Sequence, residues 1–231
     1  MANIIPFNYK FEALLTPESA EYKRKKFYLR YGGRASGKTY AFITGLVLRI
    51  SSTEGNIICA RENQRFIDES SHRGVCSMIE RLGLARFFTI TDSSIECKAT
   101  GSKISFIGIG KEGYWALKDT DDLSVIFCDD AHNLSEKSLS AVCAKAAISE
   151  NCEVWVAWNP LFNYKGSPPE KVEAVFDRFV KNYNKELMNL EEVNYQDNVF
   201  LPEGIKHCIE YDMKQDIEVF KAVWDFNHKE Q

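Results

Sequence analysis

The chain has 231 residues, 45% of them hydrophobic and 27% charged. That suits one globular domain, or one core with a small appendage, and is long enough to bury a full core. No run of about 18 apolar residues is present, which excludes a membrane-spanning helix, and the N-terminal MANIIPFNYK lacks the basic-then-apolar order of a signal peptide. The net charge of −4 leaves any nucleic-acid contact to local patches.

In chain order, a basic cluster comes first: Lys23, Arg24, Lys25, Lys26 and Arg30. It reads as a solvated approach to a strand in preference to a DNA-contacting patch. KFYLRY (26–31) is that strand, with Phe27 and Leu29 alternating against charged neighbours. YGGRASGKT (31–39) follows. Gly32, four residues, then Gly37-Lys38-Thr39 fits G-x-x-x-x-G-K-[ST], the phosphate-binding loop. Successive backbone N–H groups must converge on phosphate oxygens there, and side chains would block the approach. TYAFITGLVLRI then reads as a helix. Phe42, Leu46 and Arg49 share one face and Ile43, Val47 and Ile50 the next, so it is expected to be buried. A strand before the loop and a helix N-terminus after it are what phosphate binding requires; a glycine-rich turn with a fortuitous lysine requires neither.

NIICAR (56–61) is expected as a buried strand, and the second half of 62–82 as a helix through Val75, Met78, Ile79 and Leu82. FFTIT, SIECK and ISFIGIG read as short strands, the last two joined as a hairpin by ATGSK. SVIFCDD (124–130) is an apolar run ending in two aspartates, LSEKSLSAVCAKAAI a helix, and EVWVAWNP (153–160) another buried strand. FNYKGSPPE (162–170) is the expected soft joint. Pro202 fits the first turn of a late helix, with Glu203 near its N-terminus. Buried strands alternating with helices indicate a mainly parallel sheet.

Ligands of such sheets sit outside the carboxyl ends of the strands. The glycine-rich loop, Asp129-Asp130 and Asn159 all fall at such ends, and would line one crevice if their three strands were neighbours. Lys38 is assigned to the β and γ phosphates and the Thr39 hydroxyl to Mg²⁺. Asp129 would hold Mg²⁺ through its water shell, and Asp130 would orient or deprotonate the attacking water. Lys38→Ala is expected to abolish turnover and spare the fold, because Lys38 is expected on a solvated loop. The seven cysteines contain no C-x-x-C pair; several lie inside apolar strand-like runs, which suggests buried free thiols of a reducing compartment, and no zinc site is expected. Trp155 and Trp158 read as core aromatics in preference to base-stacking platforms, and His132 as a residue approaching a helix in preference to a nucleotide sensor.

YGGRASGKT, IICARENQRFIDES, TGSKISFIGI, GYWALKDT, VIFCDDAHNLSEKSL, NCEVWVAWNP and VNYQDNVFLPEGIKHCIEYDMKQDIEVFKAVW together resemble, in that order, the ATPase domain of large terminase subunits of tailed bacteriophages. The resemblance runs from about residue 7 to 224. It implies an α/β fold: a P-loop NTPase of the additional-catalytic-acid class, with a mainly parallel sheet flanked by helices and a small C-terminal lid subdomain. Residues 1–164 would be the ATPase core and 165–231 the lid and linker. It implies ATP and Mg²⁺ as cofactors. Gly32, Gly33, Arg34, Ala35, Ser36, Gly37, Lys38 and Thr39 would form the nucleotide-binding loop, and Thr39 and Asp129 the metal site. Catalysis would fall to Asp130, to Arg34 through contact with the γ-phosphate, and to Asn159 in the motif coupling hydrolysis to movement.

The implied activity is pumping of double-stranded DNA into a capsid. The implied partners are DNA, a portal protein, a small terminase subunit and a homo-oligomeric ring, in the cytoplasm of an infected bacterial host and transiently on the procapsid portal. DNA contacts are expected from 111–118 or from the basic cluster. The sequence departs from the family at two positions. Asp130 stands where glutamate is usual, and Ile148 where an arginine is often found. An offset of about 1 Å at a catalytic group is enough to cost ~10²-fold in rate. A nucleotide-binding assembly module with weak hydrolysis, or another DNA-dependent ATPase, is therefore the alternative. The metal-dependent nuclease domain of full-length relatives is not expected within these residues; it would lie in a longer version of this protein or in a separate chain.

Overall fold

The computed structural model describes residues 8–16, 19, 23–63, 71–110, 113–160 and 174–226. The expected joint at 162–170 and the segments 64–70 and 111–112 lie outside them. The strands are β1 (Phe27–Tyr31), β2 (Asn56–Arg61), β3 (Phe88–Ile90), β4 (Ser94–Cys97), β5 (Lys103–Gly108), β6 (Leu123–Cys128), β7 (Glu153–Trp158) and β8 (Met188–Glu192). They form one eight-stranded sheet in the order β3-β4-β5-β2-β6-β7-β1-β8. From β5 to β8 every neighbouring pair is parallel. The β3-β4 and β4-β5 pairs are antiparallel, the second being the expected hairpin. β6 and β7 are buried at all positions, because helices cover both faces.

Helix α1 (Lys38–Ser52) and helix α2 (Arg73–Arg81) lie on one face. Phe42, Leu46, Val75 and Ile79 pack there with Tyr28, Phe127 and Trp155. Helix α3 (Gly113–Lys118) and helix α4 (Glu136–Ile148) lie on the other, where Leu117, Leu139 and Val142 meet Leu29, Ile126, Val156 and Trp158. The two tryptophans of β7 thus serve opposite halves of the core, each at most 1% exposed. Helix α4 is started by Ser135, whose hydroxyl accepts from the Ser138 N–H at 3.2 Å. Two further helices, α5 (Glu203–Gln215) and α6 (Ile217–Val223), close the described chain; Pro202 caps α5 one residue before its first turn.

One expectation changes here, in part: in the basic cluster Lys23 is exposed and Lys25 and Lys26 are half-buried, but the two arginines are not on a solvated face. Arg30 is fully buried, with its guanidinium donating to the carbonyls of Lys10, Leu29 and Asn189 and to the Asn189 side chain. Arg24 makes a two-pronged ion pair with Glu153, both contacts at 2.6 Å, and Arg49 approaches the same carboxylate. A buried carboxylate at the start of β7 needs such partners, so the Arg24 and Arg49 charges turn inward. Strand β8, within the residues expected for the lid, is hydrogen-bonded to β1 at the edge of the sheet.

Candidate nucleotide-binding site

The strand order sets β6, β7 and β1 side by side. Their carboxyl ends open on a cleft of about 460 Å³ lined by residues 34–40, Asp129, Asp130, His132 and 157–159. The loop, the acidic pair and Asn159 are therefore brought together, although Thr39 and Asp129 are 90 residues apart in sequence.

The loop has a fixed shape. Gly37 is left-handed (φ 81°) and starts α1, and Ala35 holds φ 58°, which an L residue adopts only when held there. Lys38 is not solvated. Its Nζ is buried and donates to Gly32 O at 3.0 Å, Gly33 O at 2.7 Å and Ser36 Oγ at 2.8 Å. Burial pulls its pKa down to about 7, against the pull of the Asp129 and Asp130 carboxylates in the other direction. Gly32 and Gly33 do not line the cleft. Their carbonyls hold the lysine, and their bare Cα atoms face chain from the C-terminal part. A Cβ on Gly32 would overlap Val193 O, and one on Gly33 would overlap Trp224 O. Arg34 is exposed at the rim, its backbone N–H donating to Val223 O at 2.7 Å.

Thr39 Oγ1 donates to Asp129 Oδ1 at 3.0 Å. Two oxygens so placed, beside a phosphate loop, suit Mg²⁺, which keeps several waters and takes only one or two carboxylates plus phosphate oxygens. Among the described residues no cluster of three or more His, Cys, Asp or Glu is arranged to hold a metal. Burial raises the Asp129 pKa, helped by Asp130, while Arg61 and the Thr39 hydroxyl lower it. Asp130 takes a left-handed conformation (φ 50°, ψ 42°) at the start of a short 3-10 turn. His132 lines the cleft, and burial lowers its pKa against the charge of Asp130.

Three participants escaped the sequence reading. Arg61, the last residue of β2, reaches across to β6, its Nη2 2.5 Å from Asp129 Oδ2 and 3.0 Å from Asp130 Oδ2. A lone arginine at a strand end carries no sequence signal until β2 and β6 are known to be neighbours. Asn194 and Asn198 bond the loop itself: Gly33 N–H donates to Asn194 Oδ1 and Asn198 Nδ2 donates to Ala35 O, each at 2.7 Å. Their signal was the VNYQDN segment, for which nucleotide binding alone gave no reason. Ile148 lies at the other pole of the sheet, 79% exposed beside the first residues of β2 and β6. An arginine there would face away from this cleft.

A glycine-rich loop between strand and buried helix, facing an acidic pair across the carboxyl ends of a parallel sheet, defines a P-loop nucleotide-binding α/β protein. The family model for the phage terminase large subunit matches residues 24–225, and the chain belongs to that family. The fold agrees. The large terminase of a thermophilic bacteriophage superimposes with a TM-score of 0.72 at 16% identity, over 96% of this chain and 54% of that one. The ATPase domain of the Thermus phage P74-26 large terminase matches with a TM-score of 0.56 at 14% identity, over 93% and 95% of the two chains. The first of these two terminases has also been solved with ATP-gamma-S, matching at a TM-score of 0.64 and 17% identity over 94% of this chain and 52% of that one. The chain thus spans about half the length of that thermophilic phage's terminase. A search of curated proteins returns no match.

Proposed function

We propose that this chain is the ATP-hydrolysing motor domain of a viral DNA-packaging terminase, driving double-stranded DNA into a capsid. The observation that carries the proposal is the Thr39–Asp129 oxygen pair at 3.0 Å, set in one cleft with the loop and Asp130. That is the arrangement a Mg²⁺-nucleotide needs, and a relative of the same fold has been solved with ATP-gamma-S. Lys38 and the loop amides bind phosphate. Thr39 and Asp129 hold Mg²⁺, which when bound neutralises charge on the phosphates. Asp130 orients the attacking water, Arg34 meets the γ-phosphate from the rim, and Asn159 at the end of β7 transmits the change. Helices α5 and α6 form the lid. Double-stranded DNA, a portal protein, a small subunit and further copies in a ring are the partners this role requires, and an infected host cell's cytoplasm is where it would work.

A second reading has one observation in its favour. The Asp130 carboxylate is bound to Arg61 at 3.0 Å and is a methylene shorter than the family's usual glutamate. A nucleotide-binding assembly module with little hydrolysis would look the same. Steady-state phosphate release from Mg-ATP by the purified chain, with Asp130→Glu alongside, separates the two. Turnover above a Lys38→Ala blank supports the motor. Silence in the natural chain with activity in Asp130→Glu supports the module. Silence in both sinks hydrolysis by this chain alone.

A further inference from the structure

We propose that Asn194 and Asn198 are positioning residues of the nucleotide site, clamping the phosphate loop so that its lysine cradle is set before nucleotide arrives. The proposal rests on the nucleotide-binding reading above.

Three consecutive residues of the loop are held from outside it. Gly33 N–H donates to Asn194 Oδ1, Arg34 N–H to Val223 O, and Ala35 O accepts from Asn198 Nδ2, all at 2.7 Å. The Asn198 amide also lies over Gly37, whose Cβ, if it had one, would be 3.7 Å from Asn198 Cγ. Asn194 is itself fixed. Its Nδ2 donates to Phe226 O at 2.6 Å, its Oδ1 also accepts from Phe226 N–H at 3.2 Å, and its own N–H donates to Asp197 Oδ2 at 2.8 Å. Asp197 is in turn paired with Lys10 at 2.9 Å, and its carbonyl accepts from Asn8 Nδ2.

The consequence for the site runs through Gly33. Asn194 fixes the Gly33 peptide from its N–H side, and the carbonyl of the same residue receives both Lys38 Nζ and Ser36 Oγ. Asn198 fixes Ala35, the one non-glycine residue of the loop with positive φ. A loop of small residues has many conformations in water and only one that aligns its amides on a phosphate. Holding that conformation beforehand spares the ordering cost at binding. Only an amide fits the Asn194 position. It must accept twice and donate once, and a carboxylate would face the Phe226 carbonyl with no proton to give.

The test compares ADP binding, in EDTA, by calorimetry for the natural chain, Asn194→Ala, Asn198→Ala and Asn189→Ala, with melting temperatures of each. Asn189 is the control. Its amide braces buried Arg30 at 2.7 Å on the neighbouring strand, before the chain enters the loop. The expected result is about tenfold weaker ADP binding in Asn198→Ala and Asn194→Ala, as loss of a part-buried hydrogen bond implies. Asn189→Ala should melt earlier and bind ADP as the natural chain does. If Asn194→Ala fails to fold, Asn198→Ala decides. A folded Asn198→Ala with unchanged ADP affinity overturns the proposal. A natural chain that binds no ADP overturns the nucleotide reading, and the clamp's purpose with it.

Discussion

At Lys38, burial and charge pull in opposite directions. The ammonium is enclosed by the loop and brought down to about 7, while Asp129 and Asp130 favour its charged form. Phosphate supplies a further negative charge at the mouth of the cradle, so the lysine's pKa must rise when nucleotide binds. The sign follows. Above its free pKa the lysine is neutral before binding and charged after it, so binding takes up a proton and affinity falls as pH rises through 7. Calorimetry with ADP and EDTA at about pH 8, in two buffers of different ionisation enthalpy, should show uptake approaching one proton. Zero uptake would mean that the three oxygen acceptors keep Lys38 charged throughout. The residue scale is also where the sequence misled most. Arg24, Arg30 and Lys38 look like surface cations in a linear string. Each is drawn inward by an acceptor that the string does not reveal: Glu153, the Asn189 side chain and the Gly33 carbonyl.

Among the elements, those that build the cleft were legible. β1, α1, β6 and β7 carry continuous or periodic apolar patterns, and their ends carry the loop, the aspartates and Asn159. Periodicity survives folding because burial enforces it. β8 was not legible as part of the sheet. MNLEE is short and polar, an edge strand held by the β1 backbone and burying fully only Met188. The link from β8 to the loop changes what the glycines mean. The usual account assigns them to phosphate approach, yet Gly33 has no room for a methyl because Trp224 O lies where its Cβ would be. Backbone meets backbone there, so neither side yields as a side chain would. Gly33→Ala should therefore cost stability without any nucleotide present, by about 3 kcal/mol or more, since overpacking already costs roughly 1–3 where side chains can adjust. Urea unfolding without ligand measures it. An unchanged midpoint would show that the C-terminal segment can move aside, and would return Gly33 to phosphate binding alone.

For the molecule as a whole, the connections are unevenly distributed. One pole of the sheet holds the cleft, and the described C-terminal chain is tied to it at Gly33, Arg34 and Ala35. The other pole holds an open polar groove beside the first residues of β2 and β6, with no part in the site. A ligand that quiets the loop should therefore quiet residues 193–198 and 223–226 as well, although none of them lines the cleft. Ligand at roughly 100 times its dissociation constant stabilises the bound form by about 2.7 kcal/mol, so protection up to ~100-fold is available to amides that exchange through loop opening. Hydrogen exchange with and without saturating ADP should show slowing in both C-terminal segments, with Asn56 and 149–151 unchanged at the far pole. Slowing confined to the loop and α1 would mean that the clamp holds the loop but feels nothing from it. Slowing that reaches 223–226 would give the terminase family's motor a concrete first step, from phosphate to loop to the segment behind it, for any movement that hydrolysis drives.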